Sequence, residues 1–480
     1  MGRFFWPTLG LIGMAYFGLA AVMPPLDDEL YYWCWAQNLQ PSYFDHPPMT
    51  AYLIRASTSL LGDSVFAIRL PACLSTLVVA AVVGGLMRHR RLVPAVLATP
   101  LFTFGAVLIT PDTPLLLFWA LYLRWLVAAH RRLTPADGSE GHVPWWLWVL
   151  GGVLLGGGAL GKYTMALAVP AGFVSFRLAG VPWRKWLPGY VGHGIAAAVL
   201  FAPVLAYNVA RDFEPIRFQW AHAMAAAGPK APAWQTAGGF AAVQVVLFGT
   251  WPFTLFPWAL RRAKELSADP VLRVGLCLYA VPFGFFVLKS WRGPVEGNWA
   301  LVSYLGFWPV AARWLAGCPE RWRRPAVLAG FAVPALTVAG AAVHLVHPIE
   351  AYPPRTDRIT RQGVRINVAR RAAETIKDQG GGSVYTPTYQ WVALLRFHGV
   401  DARQMAGVSR PSHFTAVPDH LSDVTDALVW NETSLPPGLC LGFGPPVEIA
   451  AFPIVVRGER ASGFYLYRYR RVAPELDPTP

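Results

Sequence analysis

The chain has 480 residues, 54% of them apolar and only 14% charged, with 44 Gly, 43 Pro and 21 Trp. A soluble globular protein carries roughly a quarter charged residues, so a cytosolic enzyme, a disordered tail and a disulfide-stapled secreted module are excluded, and the composition is that of a polytopic α-helical membrane protein. The net charge of +14 does not point to nucleic acid, because the basic residues lie scattered between apolar runs rather than gathered on one face.

A span needs about 20 apolar residues, and crossings fall roughly at 4–22, 64–86, 92–110, 113–129, 144–161, 164–179, 187–207, 236–260, 270–289, 299–316 and 325–345, about eleven in all. The first segment resembles a signal peptide but lacks a convincing cleavage site and runs into Leu26-Asp27-Asp28-Glu29, so it reads as a retained anchor. With the N-terminus inside, the inner segments hold Arg3, Arg88-His89-Arg90-Arg91, Arg131-Arg132, Trp183-Arg184-Lys185, Arg261-Arg262 with Lys264, and Arg321-Trp322-Arg323-Arg324. Assigning Arg124, Arg177, Arg273 and Arg313 to the nearer inner end gives 18 Lys/Arg inside against 8 outside over residues 1–346, while acids run 9 outside against 5 inside. Cytoplasmic loops carry the Lys/Arg excess, and the reversed orientation breaks that rule at almost every loop. The five cysteines (Cys34, Cys73, Cys277, Cys318, Cys440) form no CxxC pair and no metal-type spacing, and read as isolated small apolar residues.

The expected topology puts the unusual polar residues on one side. The first outer loop, roughly 23–63, is too long for a simple connection. It begins with Asp27-Asp28-Glu29 and the aromatic run Leu30-Tyr31-Tyr32-Trp33-Cys34-Trp35-Ala36, which predicts a helix along the membrane surface with aromatic side chains against lipid. Asp45-His46-Pro47-Pro48 follows, and a second helix carrying Arg55 is expected after the prolines. Asp112 lies in the turn Thr110-Pro111-Asp112-Thr113-Pro114, Lys162 in Gly161-Lys162-Tyr163, and Lys289, Arg292, Glu296 and Asn298 in the turn between spans nine and ten. Ionisable groups at membrane depth or in short turns are costly, which makes these residues functional candidates.

From about residue 347 long apolar runs stop and charge is nearly balanced. A helix over Val368–Lys377 ending at glycines 380–382, a strand near Ser383–Tyr385, a helix over Tyr389–Phe397, a strand at Ala427–Trp430 and a hairpin of Ile454–Arg457 with Gly463–Arg468 predict a small outer α/β domain. The expected division is therefore 1–346, a transmembrane catalytic domain, and 347–480, a soluble domain. His398, His413 and His420 lie in the latter without ligand-like spacing.

Asp28-Glu29-x-Tyr31-Tyr32-Trp33-x-Trp35, followed by Tyr43-Phe44-Asp45-His46-Pro47-Pro48-Met49, closely resembles the first-loop signature of GT-C membrane glycosyltransferases. More narrowly it is similar to the bacterial branch related to protein O-mannosyltransferases and the lipid A aminoarabinose transferase (glycosyltransferase 39/83 and RgtA/B/C/D-like families). The resemblance continues at Thr110–Leu115, Gly161-Lys162-Tyr163-Thr164 and Glu296-Gly297-Asn298-Trp299, over roughly the first 310 residues.

The resemblance implies inverting transfer of a sugar from a polyprenyl-phosphate carrier to a hydroxyl on the outer face of a bacterial inner membrane, with the C-terminal domain periplasmic. Lipid A or other lipopolysaccharide, a glycan, a glycolipid and a protein Ser/Thr all fit as acceptor. The catalytic acidic residue of the family falls on Asp28, as general base. Asp112, in its short outer turn, is the second catalytic candidate, with a role in orienting acceptor or donor. Glu29, Asp45, His46, Arg55, Lys162, Lys289, Arg292 and Asn298 are the substrate-binding candidates, since a leaving phosphate gains charge and needs cations or a metal. One departure stands out: relatives typically carry lysine before the double proline, and here it is His46, which near neutral pH is not a fixed cation. Asp45 and His46 are thus also the candidates for a divalent metal, whose use stays open, as does the oligomeric state. The competing class is a flippase for lipid-linked sugars, which would need a polar path to both faces; the polar cluster here is one-sided.

Overall fold

The computed structural model describes residues 5–87, 92–97, 99–135, 139–224, 232–354, 356–416, 421–432 and 443–471. Arg3, the 88–91 cluster, His420 and Cys440 lie outside them. The chain divides into a helical unit, Met1–Val22 with Leu39–Gly340, and a second unit, Met23–Asn38 with Ala341–Pro480. The start of the first loop thus clusters with the C-terminal residues.

Among the described residues, six of the expected spans are helices long and apolar enough to cross a membrane: Phe5–Val22, Val65–Leu86, Asp112–Leu133, Leu187–Val209, Pro270–Ser290 and Glu320–Val346, the last running past the end of the helical unit at Gly340. The 236–260 segment is a pair, Ala233–Phe248 and Trp251–Arg261, broken at Gly249-Thr250 and sharply bent. The other four segments are helical but shorter. Trp145–Ala159 has 15 residues and Leu301–Gly317 has 17. The 164–179 segment starts as a 3₁₀ turn, Tyr163–Leu167, before the helix Ala168–Leu178. The 92–110 segment is split into Val93–Leu97 and Pro100–Gly105. Helix starts follow local chemistry: Ser64 accepts from the Ala67 amide, and Asp269 from those of Val271 and Leu272. The interior is aromatic, with Trp119, Tyr122, Tyr304 and Trp308 essentially inaccessible.

The second unit holds a five-stranded mixed sheet, β1 (Val384–Thr386), β2 (Ala402–Gln404), β3 (Asp426–Asn431), β4 (Val447–Val456) and β5 (Glu459–Arg470), in the order β2-β1-β3-β5-β4. β1 pairs in parallel with β2 and β3, and β5 pairs antiparallel with β3 and β4. The helix Tyr389–Phe397 is the crossover between β1 and β2, as a parallel pair requires. The helix expected at 368–377 begins earlier, at Arg358, where Asp357 caps it through the Thr360 amide. The hairpin strands are longer than expected, and Arg457 lies in the turn: Arg457 and Gly458 have φ of 51° and 79° between the paired Val456 and Glu459, the backbone of a two-residue primed turn. Trp391, Trp430, Phe452 and Phe464 form the aromatic core of this unit.

Candidate active site

Three of the motif turns converge on Asp112. It opens the helix Asp112–Leu133 directly after Pro111, where the exposed helix amides favour a carboxylate. The Lys162 ammonium donates to Asp112 Oδ1 at 2.8 Å and the Asn298 amide to Oδ2 at 2.8 Å. The Lys162 and Asp112 side chains are 13% and 12% exposed, so this is a largely desolvated ion pair. Gly161 makes it reachable: a Cβ there would lie 2.9 Å from Pro114 Cγ and 3.0 Å from the Leu115 nitrogen. The same turn anchors the first loop, for the Met49 amide donates to the Leu160 carbonyl at 2.9 Å.

Asn298 is supported from beneath. Buried Gln244 donates to the Gly297 carbonyl at 3.1 Å and accepts from the Tyr304 hydroxyl at 2.8 Å. Lys289 is buried and donates to the Pro294 carbonyl at 3.1 Å, while Arg292 and Glu296 are exposed. In the 39–48 loop, the Tyr43 amide donates to the His46 carbonyl and the Tyr52 hydroxyl to the Gln40 carbonyl. Asp45 is buried and His46 half-buried; Arg55 is exposed on the helix Met49–Leu61. Among the described residues, no group of three or more His, Cys, Asp or Glu side chains gathers as a metal cage would require.

In the second unit the three consecutive acids of the helix Asp27–Gln37 have three different environments. Asp27 is paired with Arg365 of the helix Arg358–Asp378. Glu29 is buried and accepts from the Leu26 amide at 2.9 Å, tying the helix start. Asp28 is exposed, and its Oδ1 accepts a 2.9 Å hydrogen bond from the Tyr389 hydroxyl. The Tyr389 ring lies 4.6 Å from that of Tyr31 and carries the Arg410 guanidinium at 4.3 Å. Burial and, after it, the Asp28 charge push the Tyr389 phenol well above its ordinary range, so it remains a donor.

The expectation of aromatic side chains against lipid is corrected here. Tyr31, Tyr32 and Trp35 are 1%, 9% and 1% exposed. They pack within the unit, Tyr31 on Tyr389 and Phe414, and Trp33 edge-on to Phe397. An amphipathic helix has one apolar stripe, and here a neighbouring protein helix covers it. Tyr389, Arg365 and Arg410 are site neighbours that the sequence did not single out; hundreds of residues separate them from Asp28 and no local spacing marks them.

Residues 45–207 match the family described as dolichyl-phosphate-mannose-protein mannosyltransferase. Over 399 residues, 78% of each chain, the sequence is 26% identical to the lipid A galacturonosyltransferase RgtD of Rhizobium johnstonii. Over 288 residues it is 28% identical to the undecaprenyl phosphate-alpha-4-amino-4-deoxy-L-arabinose arabinosyl transferase of Erwinia tasmaniensis, covering 55% of this chain and 48% of that one. The structure of ArnT from Cupriavidus metallidurans bound to undecaprenyl phosphate superposes with a TM-score of 0.65 over 97% of this chain and 98% of that one, at 14% identity; its apo form gives 0.61. The fold is that of ArnT. The GT-C resemblance read from the first loop is therefore borne out, and with it the expected helical membrane architecture carrying a small α/β unit. The broken and shortened helices among the expected spans were not legible in advance, since hydropathy registers composition and not the break within a segment.

Proposed function

We propose that the chain is an inverting glycosyltransferase of the bacterial inner membrane that moves a sugar from a polyprenyl-phosphate carrier to a hydroxyl of an envelope acceptor of the lipid A class. The observation that carries this reading is the meeting of three separated motif turns in the bonded set Asp112, Lys162 and Asn298. The names of RgtD, as a lipid A galacturonosyltransferase, and of ArnT, solved with undecaprenyl phosphate, supply the substrate classes.

In this reading Asp28 takes the acceptor hydroxyl proton, and the oxygen attacks the anomeric carbon. The bond to the carrier breaks with its electron pair passing to the phosphate, and the anomeric configuration inverts. Asp28 is exposed to solvent beside the Tyr389 hydroxyl, whereas Asp27 and Glu29 are buried against Arg365 and the Leu26 amide. Asp112 orients Lys162 and Asn298, and the charge growing on the phosphate is assigned to Lys162, Lys289, Arg55 and Arg292. Asp45 and His46 would contribute at most two ligands to a divalent ion, whose remaining ligands would be donor phosphate oxygens or water. Glu29 acts as the lock on the helix start that presents Asp28. The active side and the C-terminal unit face the periplasm.

The test is mass spectrometry of envelope lipids from cells with and without the gene, complemented by wild type or by Asp28→Asn. The reading expects one acceptor class to lose the mass of one sugar in the deletion strain and to stay unmodified with Asp28→Asn. An unaltered lipid and glycan profile would overturn the transferase, and full complementation by Asp28→Asn would overturn the base assignment.

A further inference from the structure

We infer that Tyr389 is a positioning residue for Asp28: its hydroxyl holds the carboxylate ionised and fixes its plane. The inference rests on Asp28 being the base of the proposed reaction. Tyr389 reaches Asp28 because of where the fold places it. The chain leaves β1, crosses to β2 on one flank and returns past β1 to β3 on the other. Tyr389 opens the crossover helix three residues beyond the end of β1. Residues following the carboxyl end of a parallel strand, where strand order reverses, are those that α/β sheets use to hold ligands. Here the group held is a carboxylate of the same unit.

The ring has little freedom. It is 8% exposed, lies 4.6 Å from Tyr31 and carries Arg410 on its face at 4.3 Å. Tyr31 is itself fixed, accepting from the His413 amide at 2.7 Å. The hydroxyl thus approaches Oδ1 from one direction, at 2.9 Å. The charged and titratable groups near Asp28 include Tyr389 with Arg410 stacked on it, Asp27 tied to Arg365 of the helix Arg358–Asp378, and Glu29 tied to the Leu26 amide. A hydrogen bond donated to the ionised form of a carboxylate favours that form. Removing the phenol oxygen therefore moves Asp28 toward holding a proton at higher pH, and a proton-bearing base cannot accept one.

The test uses the full chain in detergent and does not depend on knowing the sugar. Asp28 is modified with a carbodiimide and glycine ethyl ester across a pH series, and the extent is read by peptide mass spectrometry in wild type and Tyr389→Phe, with melting curves for both. The protonated carboxyl is the reactive form. The expected result is a midpoint for Asp28 raised by about one pH unit in Tyr389→Phe, with Glu448 and Glu459 reacting as in wild type and the melting temperature little altered. The same variant should lower sugar transfer to envelope lipids in cells about tenfold or more. An Asp28 midpoint that does not move overturns the inference, whatever the activity. A midpoint that moves while Asp28→Asn complements fully leaves the Tyr389–Asp28 coupling intact and overturns only the assignment of the base.

Discussion

Both oxygens of Asp112 are taken, one by the Lys162 ammonium and one by the Asn298 amide, in a setting where little solvent reaches either side chain. Removing one member of such a pair leaves the other charge without compensation, which costs about 3–5 kcal/mol, whereas removing both costs much less. Lys162→Met is accordingly expected to melt well below wild type in detergent, and the double variant Lys162→Met/Asp112→Asn to melt above the single one. Differential scanning fluorimetry of wild type, Lys162→Met, Asp112→Asn and the double variant decides it, and strictly additive shifts would show that the two side chains do not stabilise one another. Envelope lipid analysis should find Lys162→Met and the double variant inactive in transfer. At this scale the sequence was informative about identity and silent about pairing. Asp112, Lys162 and Asn298 are each conspicuous as polar residues in short turns of an apolar chain, yet Asn298 lies 186 positions from Asp112. Likewise the run Asp27-Asp28-Glu29 reads as three equal acids. Only packing distinguishes a carboxylate neutralised by Arg365, one locking the Leu26 amide and one accepting from the Tyr389 phenol.

The elements that present these side chains are held at close approach, and Gly161 shows how little room there is. Its missing Cβ lets the 158–162 turn meet the Pro114–Leu115 backbone. Gly161→Ala must move either the proline ring or that backbone by a few tenths of an ångström, which lengthens the Lys162–Asp112 bond. Overpacking of this kind costs about 1–3 kcal/mol, and a melting temperature lowered together with sugar transfer is expected. Gly10→Ala is the control, because nothing lies within 4 Å of the Cβ it would add; in the open face of a helix that change is neutral or slightly stabilising. A Gly161→Ala protein with wild-type melting and transfer would show that the turn tolerates the methyl group. Helices and strands were largely legible from periodicity: Tyr389–Phe397 has the expected bounds and β3 lies where it was expected, while the final hairpin is present with longer strands and a turn at Arg457-Gly458. The partner of the first-loop helix was not, since a stripe of Tyr31, Tyr32 and Trp35 suits a lipid interface and a protein interior equally well.

For the whole molecule, the proposal that the C-terminal unit faces the periplasm rests on charge. Over residues 1–346 the alternating assignment places 18 Lys/Arg on one side and 8 on the other, with acids biased the opposite way, 5 against 9. Lys/Arg asymmetry in short loops fixes orientation because cationic loops resist translocation, and the net +14 of the chain is largely this orientation signal. The expectation can be tested at two exposed positions, Thr134 after the basic end of the helix Asp112–Leu133 and Ser409 in the second unit. In a cysteine-free background, Ser409→Cys should react with a membrane-impermeant maleimide in cells whose outer membrane alone has been permeabilised. Thr134→Cys should react only after the inner membrane is disrupted. The opposite pattern would invert the topology and put Asp28 on the cytoplasmic side. Labelling of both positions before disruption would mean that the helices do not alternate as the charges imply. Because the acids of the first loop are expected on the same face as Ser409, this experiment also decides whether the proposed base meets a periplasmic acceptor or a cytoplasmic one.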